Sequence, residues 1–128
     1  MLILKKFLPV ALLPLLLVGC TTSAITNLTP SHLPRKDNGQ YAFGVEWASR
    51  QQSLIKDSIK PSVIIGLEQY PMQRTPLLTN RWETLVPIPA DKDSVIYRYK
   101  FDYEYQGFPA RHPESRLSKV YQLFILEK

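Results

Sequence analysis

Cys20 is the only cysteine among 128 residues, and it closes the longest apolar run of the chain. A lone thiol can serve as a nucleophile once deprotonated, or it can carry a covalent lipid; the segment it closes decides between the two. The two histidines offer metal or proton chemistry. His32 follows Ser31 in a proline-flanked stretch, and His112 lies in the loop sequence Phe108-Pro-Ala-Arg-His-Pro-Glu-Ser-Arg116. Zinc gathers three or four N, S or O ligands, and neither histidine has a neighbour at that spacing, so both read as solvated loop residues. Ser31 beside His32 lacks the nucleophile elbow and the orienting carboxylate of a hydrolase. Asp102 and Glu104 alternate onto one strand face, where paired carboxylates could cleave a glycoside. Arg98 and Lys100 share that face, which makes it a wet, mixed-charge surface instead. The expectation is a non-catalytic protein with no catalytic residue, no metal and no cofactor.

Aromatic side chains are the other chemical resource: seven Tyr, five Phe and two Trp. On a sheet most belong to the core, with buried hydroxyls reaching a partner or the rim. The alternative is a platform for sugar rings, formed by Trp82 or Trp47 with Tyr70 or Tyr105. Core is the expected place for both tryptophans; Trp82, after a turn and between Arg81 and Glu83, is the more open to the surface reading.

These residues depend on the elements that carry them, beginning at the N-terminus. Lys5 and Lys6 precede Phe7 to Val18, an uncharged run broken by Pro9 and Pro14. At about 12 residues it falls short of the roughly 20 that a spanning helix needs. A positive start, a short apolar middle and a small residue at the end describe a secretory signal. Leu17-Val18-Gly19-Cys20 resembles the lipobox of bacterial lipoproteins. That resemblance implies cleavage before Cys20, a diacylglyceryl group on its sulfur and acylation of its new amino group. Two or three acyl chains anchor durably where one is marginal. Residue 21 is Thr rather than the Asp that retains such proteins in the inner membrane, so the resemblance favours the outer membrane.

Removing residues 1–19 leaves 109 residues, a single domain's length. It also removes Lys5 and Lys6, leaving 14 basic against 11 acidic side chains. That balance is too mild, and too free of basic runs, for a nucleic-acid partner. With Cys20 lipidated no disulfide can form, so the core must hold by burial alone.

Periodicity predicts strands and almost no helix. Val95 to Tyr105 alternates strictly: Val95, Tyr97, Tyr99, Phe101, Tyr103 and Tyr105 on one face, Ile96, Arg98, Lys100, Asp102 and Glu104 on the other. Such a pattern makes a strand with one buried and one wet face. Tyr41 to Trp47, Trp82 to Ile88 and Lys119 to Leu126 alternate likewise, and Val63 to Leu67 is a continuous apolar run. Turn residues punctuate them at 37–39, Lys60-Pro61, Tyr70-Pro71, Thr79-Asn80, 90–93 and 107–109. Arg50 to Lys60 reads as an irregular connection. Short strands spaced by turns predict a sandwich or barrel.

Ile25-Thr-Asn-Leu28-Thr-Pro30, followed by Pro34 and then Gly39 before a strand, resembles the opening of early-set immunoglobulin-like domains of the IPT/TIG group. The resemblance covers about 25 residues; Asn38-Gly39 stands where that group has a glycine pair. It implies an all-β, immunoglobulin-like, early-set sandwich of about seven strands behind a lipoprotein signal peptide. The expected organisation is a signal over 1–19, a lipidated tether over 20–24 and the sandwich over 25–128. The function expected is that of an outer-membrane-anchored periplasmic lipoprotein, a non-catalytic module contacting another envelope protein, with an edge strand as one means of contact. The alternative is a glycan-binding module of the envelope.

The lipobox reading has a direct test. Cys20→Ala is expected to abolish lipid labelling and to leave unprocessed or misplaced protein, read by metabolic labelling and fractionation; wild-type protein free of lipid mass would refute it.

Overall fold

The computed structural model describes residues 23–127; Cys20 and the apolar segment before it lie outside them. Ten strands follow in chain order: β1 Ser23–Asn27, β2 His32–Pro34, β3 Gln40–Ser49, β4 Lys60–Ile65, β5 Glu68–Pro71, β6 Gln73–Arg74, β7 Arg81–Pro87, β8 Ser94–Tyr105, β9 His112–Leu117 and β10 Tyr121–Leu126. The only helical element among the described residues is a 3-10 turn, Lys56–Ser58, inside the connection expected to be irregular. β1-β3-β7-β6 form one sheet, and β2-β10-β8-β4-β5 form the other, with β9 also paired to β8. The two sheets face each other as an all-β sandwich.

Alternation becomes layering. On β8, Tyr97, Tyr99, Phe101 and Tyr103 are buried while Ile96 and Arg98 are exposed. On β3, Tyr41, Phe43, Val45 and Trp47 are buried. The two inward rows meet: Phe43 sits edge-on to Tyr97 at 4.8 Å, and Trp47 contacts Phe101 at 5.0 Å and Tyr103 at 4.9 Å. Val63, Met72, Trp82, Val86, Ile88, Leu123 and Ile125 complete the core.

Several boundaries differ from the sequence reading. The apolar run Val63 to Leu67 is strand only to Ile65, because Gly66 takes a φ of 61° and turns the chain into β5. β4 starts instead at Lys60, where Pro61 is tolerated near a strand start. Tyr70-Pro71, read as a turn, lies within β5. β1 begins at Ser23, so the sheet takes in two residues of the expected tether. The strand number exceeds seven because β2 and β6, of only three and two residues, leave no pattern in the sequence, and because β9 forms where the sequence predicts a loop.

Phe101 is fully buried between Trp47 and Trp82. Its truncation to Ala is expected to cost about 3–5 kcal/mol through the cavity left behind. Lys100→Ala, one residue away on the wet face, is expected to stay within about 0.5 kcal/mol. Denaturant unfolding of both variants checks the assignment of faces.

Candidate functional site

The structure separates the chemical groups. His32, at the start of β2, bonds the Ser31 hydroxyl at 2.9 Å and stacks on Phe124 at 5.2 Å. His112 opens a strand rather than lying in a loop, and stacks on Tyr105 at 5.3 Å. Phe124 pairs with Ser94 and His112 with Tyr105, so the two histidines lie at opposite ends of β8. No group of three metal-ligating side chains occurs among the described residues. Asp102 accepts from Ser115 and meets Lys100 at 3.7 Å, and Glu104 meets Arg111 at 3.6 Å. Asp102, Ser115, Glu104 and Arg111 line a groove of about 940 Å³ with Asp57, Lys60 and Glu114. Its lining carries four carboxylates and two bases, with Glu104 paired to Arg111.

The proposed sugar platform does not assemble. Trp47 and Trp82 are 4% and 3% exposed, so neither presents a ring face to solvent. Both wall a cavity of about 240 Å³ with Leu54 and Ile59 at one end of the sandwich, and the Trp47 indole N–H is buried without a hydrogen-bond partner. The Arg74 guanidinium lies 5.2 Å from the Trp82 ring centroid. Tyr70 and Tyr105 are half-buried. Tyr70 aligns through Val63 with Tyr99, six residues from Tyr105, or about 20 Å along the strand. None of the ring contacts joins two of the four.

What remains is an edge. β1 has a strand neighbour on one side only. Leu28 N–H donates to the Gly44 carbonyl, so by antiparallel alternation Ala24 and Thr26 turn their backbone groups toward β3. Ser23, Ile25 and Asn27 turn theirs outward. Beside that edge runs a groove of about 420 Å³ between the sheets, lined by Ile25, Leu117 and Tyr121 with Arg116, Ser118 and Lys119. Lys119 Nζ stands 5.7 Å from the Tyr121 ring centroid.

The margins of β5, β6 and β9 are blunted. β6 has two residues and β5 ends on Pro71. β9 contains Pro113, and its Glu114 and Arg116 pair with Tyr103 and Phe101, on the inward side. Proline and inward charge are both devices that disfavour strand addition. β1 contains neither a charge nor a proline.

A polar network holds β1 in place. The Tyr99 hydroxyl donates to the Asn27 carboxamide oxygen at 2.7 Å and lies 2.9 Å from the Gly44 carbonyl and 2.8 Å from Thr29 Oγ1. Asn27 Nδ2 donates to the Tyr97 hydroxyl at 2.8 Å. Gly44 N–H donates to Thr29 Oγ1 at 3.0 Å. Asn27 and Thr29 gave no sequence signal, because their partners are about seventy residues away. Burial pushes the Tyr99 phenol well above its usual range, and Tyr97 and Tyr121 rise for the same reason. A scan of protein-family models finds none that matches the chain, and a search of curated proteins finds none similar to it.

The raised phenols set a pH limit. Their neutral form is favoured by folding, so their contribution is fully present below the unfolded tyrosine pKa near 10 and is lost as pH rises beyond it. Stability is therefore expected to fall above about pH 10. Tyr99→Phe is expected to cost about 1–3 kcal/mol at neutral pH by leaving buried partners unpaired, and to flatten the alkaline fall. Urea midpoints across pH check both.

Proposed function

We propose that the chain is a bacterial lipoprotein anchored through Cys20, most consistent with the outer membrane, and that its sandwich is a non-catalytic module that binds another envelope protein. The lipobox pattern and Thr21 support the anchoring. Strand order supports an immunoglobulin-like, early-set domain: in letters, β1-β3-β7-β6 runs A-B-E-D and β10-β8-β4-β5 runs G-F-C-C′, the arrangement of such sandwiches. β2 pairs parallel with β10, as a second half of the first strand.

The observation that carries the binding reading is the open edge of β1 beside an apolar groove. An extended partner segment bonds to the outward groups of Ser23, Ile25 and Asn27, giving affinity through the main chain. One of its apolar side chains enters between Ile25, Leu117 and Tyr121. Arg116 and Lys119 favour a segment carrying carboxylates. The glycan reading has no such support, since its tryptophans lie in the core.

A photoreactive residue placed at Leu117 in cells is expected to crosslink to a discrete envelope protein. The same residue at Leu85, which is exposed on the outer face of the other sheet, is expected not to. Equal crosslinking from both positions, or none from 117, would defeat the reading.

A further inference from the structure

Three apolar side chains stand almost wholly in solvent: Leu67 at 101%, Leu77 at 103% and Phe108 at 94%. Exposed apolar residues scattered singly are ordinary; Leu67 stands singly, whereas Leu77 and Phe108 share one end of the sandwich. Ser23 pairs with Ser49 and Glu46 with Arg81, so β1 and β7 both start where β3 ends. The segment 50–59 lies against the end of β8, through Ile55 N–H to the Glu104 carbonyl and the bridge between Leu54 and Tyr105. The loops 50–59, 75–80 and 106–111 therefore share one end of the sandwich with the start of β1. Leu77, the 40%-exposed Leu78 and Phe108 are on two of those loops. Leu77 also holds a φ of 68°, a left-handed conformation that costs a leucine energy and marks sites where the surroundings impose it.

Charge follows the same division. Residues 50–59, 74–81 and 106–111 carry Arg50, Lys56, Arg74, Arg81 and Arg111 against Asp57, and the adjoining strand ends add Lys60, Glu46, which accepts from Asn80, and Glu104, which pairs with Arg111, so this end stays basic. At the opposite end, 35–39, 66–68, 89–93 and 127 carry Arg35, Lys36 and Lys92 against Asp37, Glu68, Asp91, Asp93 and Glu127. Leu67 is at that acidic end, beyond Ile65 and its partner Tyr97. Cys20 is three residues before Ser23, a reach of at most about 11 Å.

We infer that this loop end docks on the surface of an anionic bilayer, with Phe108, Leu77 and Leu78 in the boundary between headgroups and acyl chains and the arginines on lipid phosphates. Aromatic and aliphatic side chains flanked by Lys and Arg are the composition that binds in this way. Attraction to anionic lipid acts only within a Debye length, about 8–10 Å at physiological salt, and an anchor at Cys20 lets these loops come within that range. The acidic end and the β1 groove then face away from and along the membrane. The orientation rests on the lipid anchor proposed above; the affinity of the loops for anionic lipid does not.

The test uses the full chain, recovered with its lipid and reconstituted in vesicles of phosphatidylethanolamine and phosphatidylglycerol. Single cysteines at Leu77→Cys, Phe108→Cys and Leu67→Cys carry a fluorophore, with Cys20 already occupied. Lipids brominated on the acyl chain are expected to quench positions 77 and 108 and to spare 67. Equal quenching at all three, or none at 77 and 108, would overturn the docking while leaving the anchor standing. Mass spectrometry of Cys20 reads the anchor separately. Should Cys20 carry no lipid, the same chain is sedimented with phosphatidylglycerol vesicles beside its Leu77→Asp, Phe108→Asp double variant. Sedimentation that the variant loses supports the docking; sedimentation that it keeps, or none at all, overturns it.

Discussion

The hydroxyl of Tyr99 is the point on which the two sheets agree. It projects from the middle of β8 and meets Gly44 of β3, Asn27 of β1 and Thr29 just beyond it. Apolar layers sliding over one another lose little, since dispersion and burial have no direction. A buried hydroxyl stripped of its partners does lose, by its whole desolvation cost. Directional bonds through the core therefore fix the register of one sheet on the other. A sandwich without a disulfide among its described residues needs some such pin, and here phenols, a carboxamide and a threonine supply it.

The same network decides where the surface is open. Holding Asn27 and Thr29 inward ties the end of β1 to the core while its outer backbone stays unpaired. After Pro30 the chain crosses to the other sheet, where β2 covers β10 but stops short of β9. The groove beside Ile25 is the gap left by that crossing. The partner-binding reading and the core thus have one origin: the route by which the first strand changes sheets.

Long alternating segments were legible in the sequence because burial on one face imposes a period of two. Val95 to Tyr105 and Tyr41 to Trp47 have inward rows that the structure reproduces. β9 was not legible, because a strand at a sheet margin has no buried row to betray it, and its Pro113, Glu114 and Arg116 read as a loop. β4 was displaced because apolar content said nothing of the left-handed backbone at Gly66. Trp82 was ambiguous for a related reason: charged neighbours on both sides suggest exposure, yet in a strand they mark the opposite face. The Asn27, Thr29 and Tyr99 network had no signature, since it joins residues that are adjacent only after folding. Nor did the exposed Leu77 and Phe108, which lie 31 residues apart and come to one end of the sandwich through strand pairing.

The defended margin at β9 has a meaning at the level of many copies. Proteins confined to a surface meet their own kind far more often than proteins free in solution, always in a similar orientation. Under those conditions an unguarded strand margin would template sheet growth from one molecule to the next. Pro113 removes a donor from that margin, and Glu114 and Arg116 place charge where an incoming neighbour would need apolar contact. On the anchored reading, that guard would allow dense packing without polymerisation, while β1, which has neither proline nor charge among the described residues, would remain open to a different sequence.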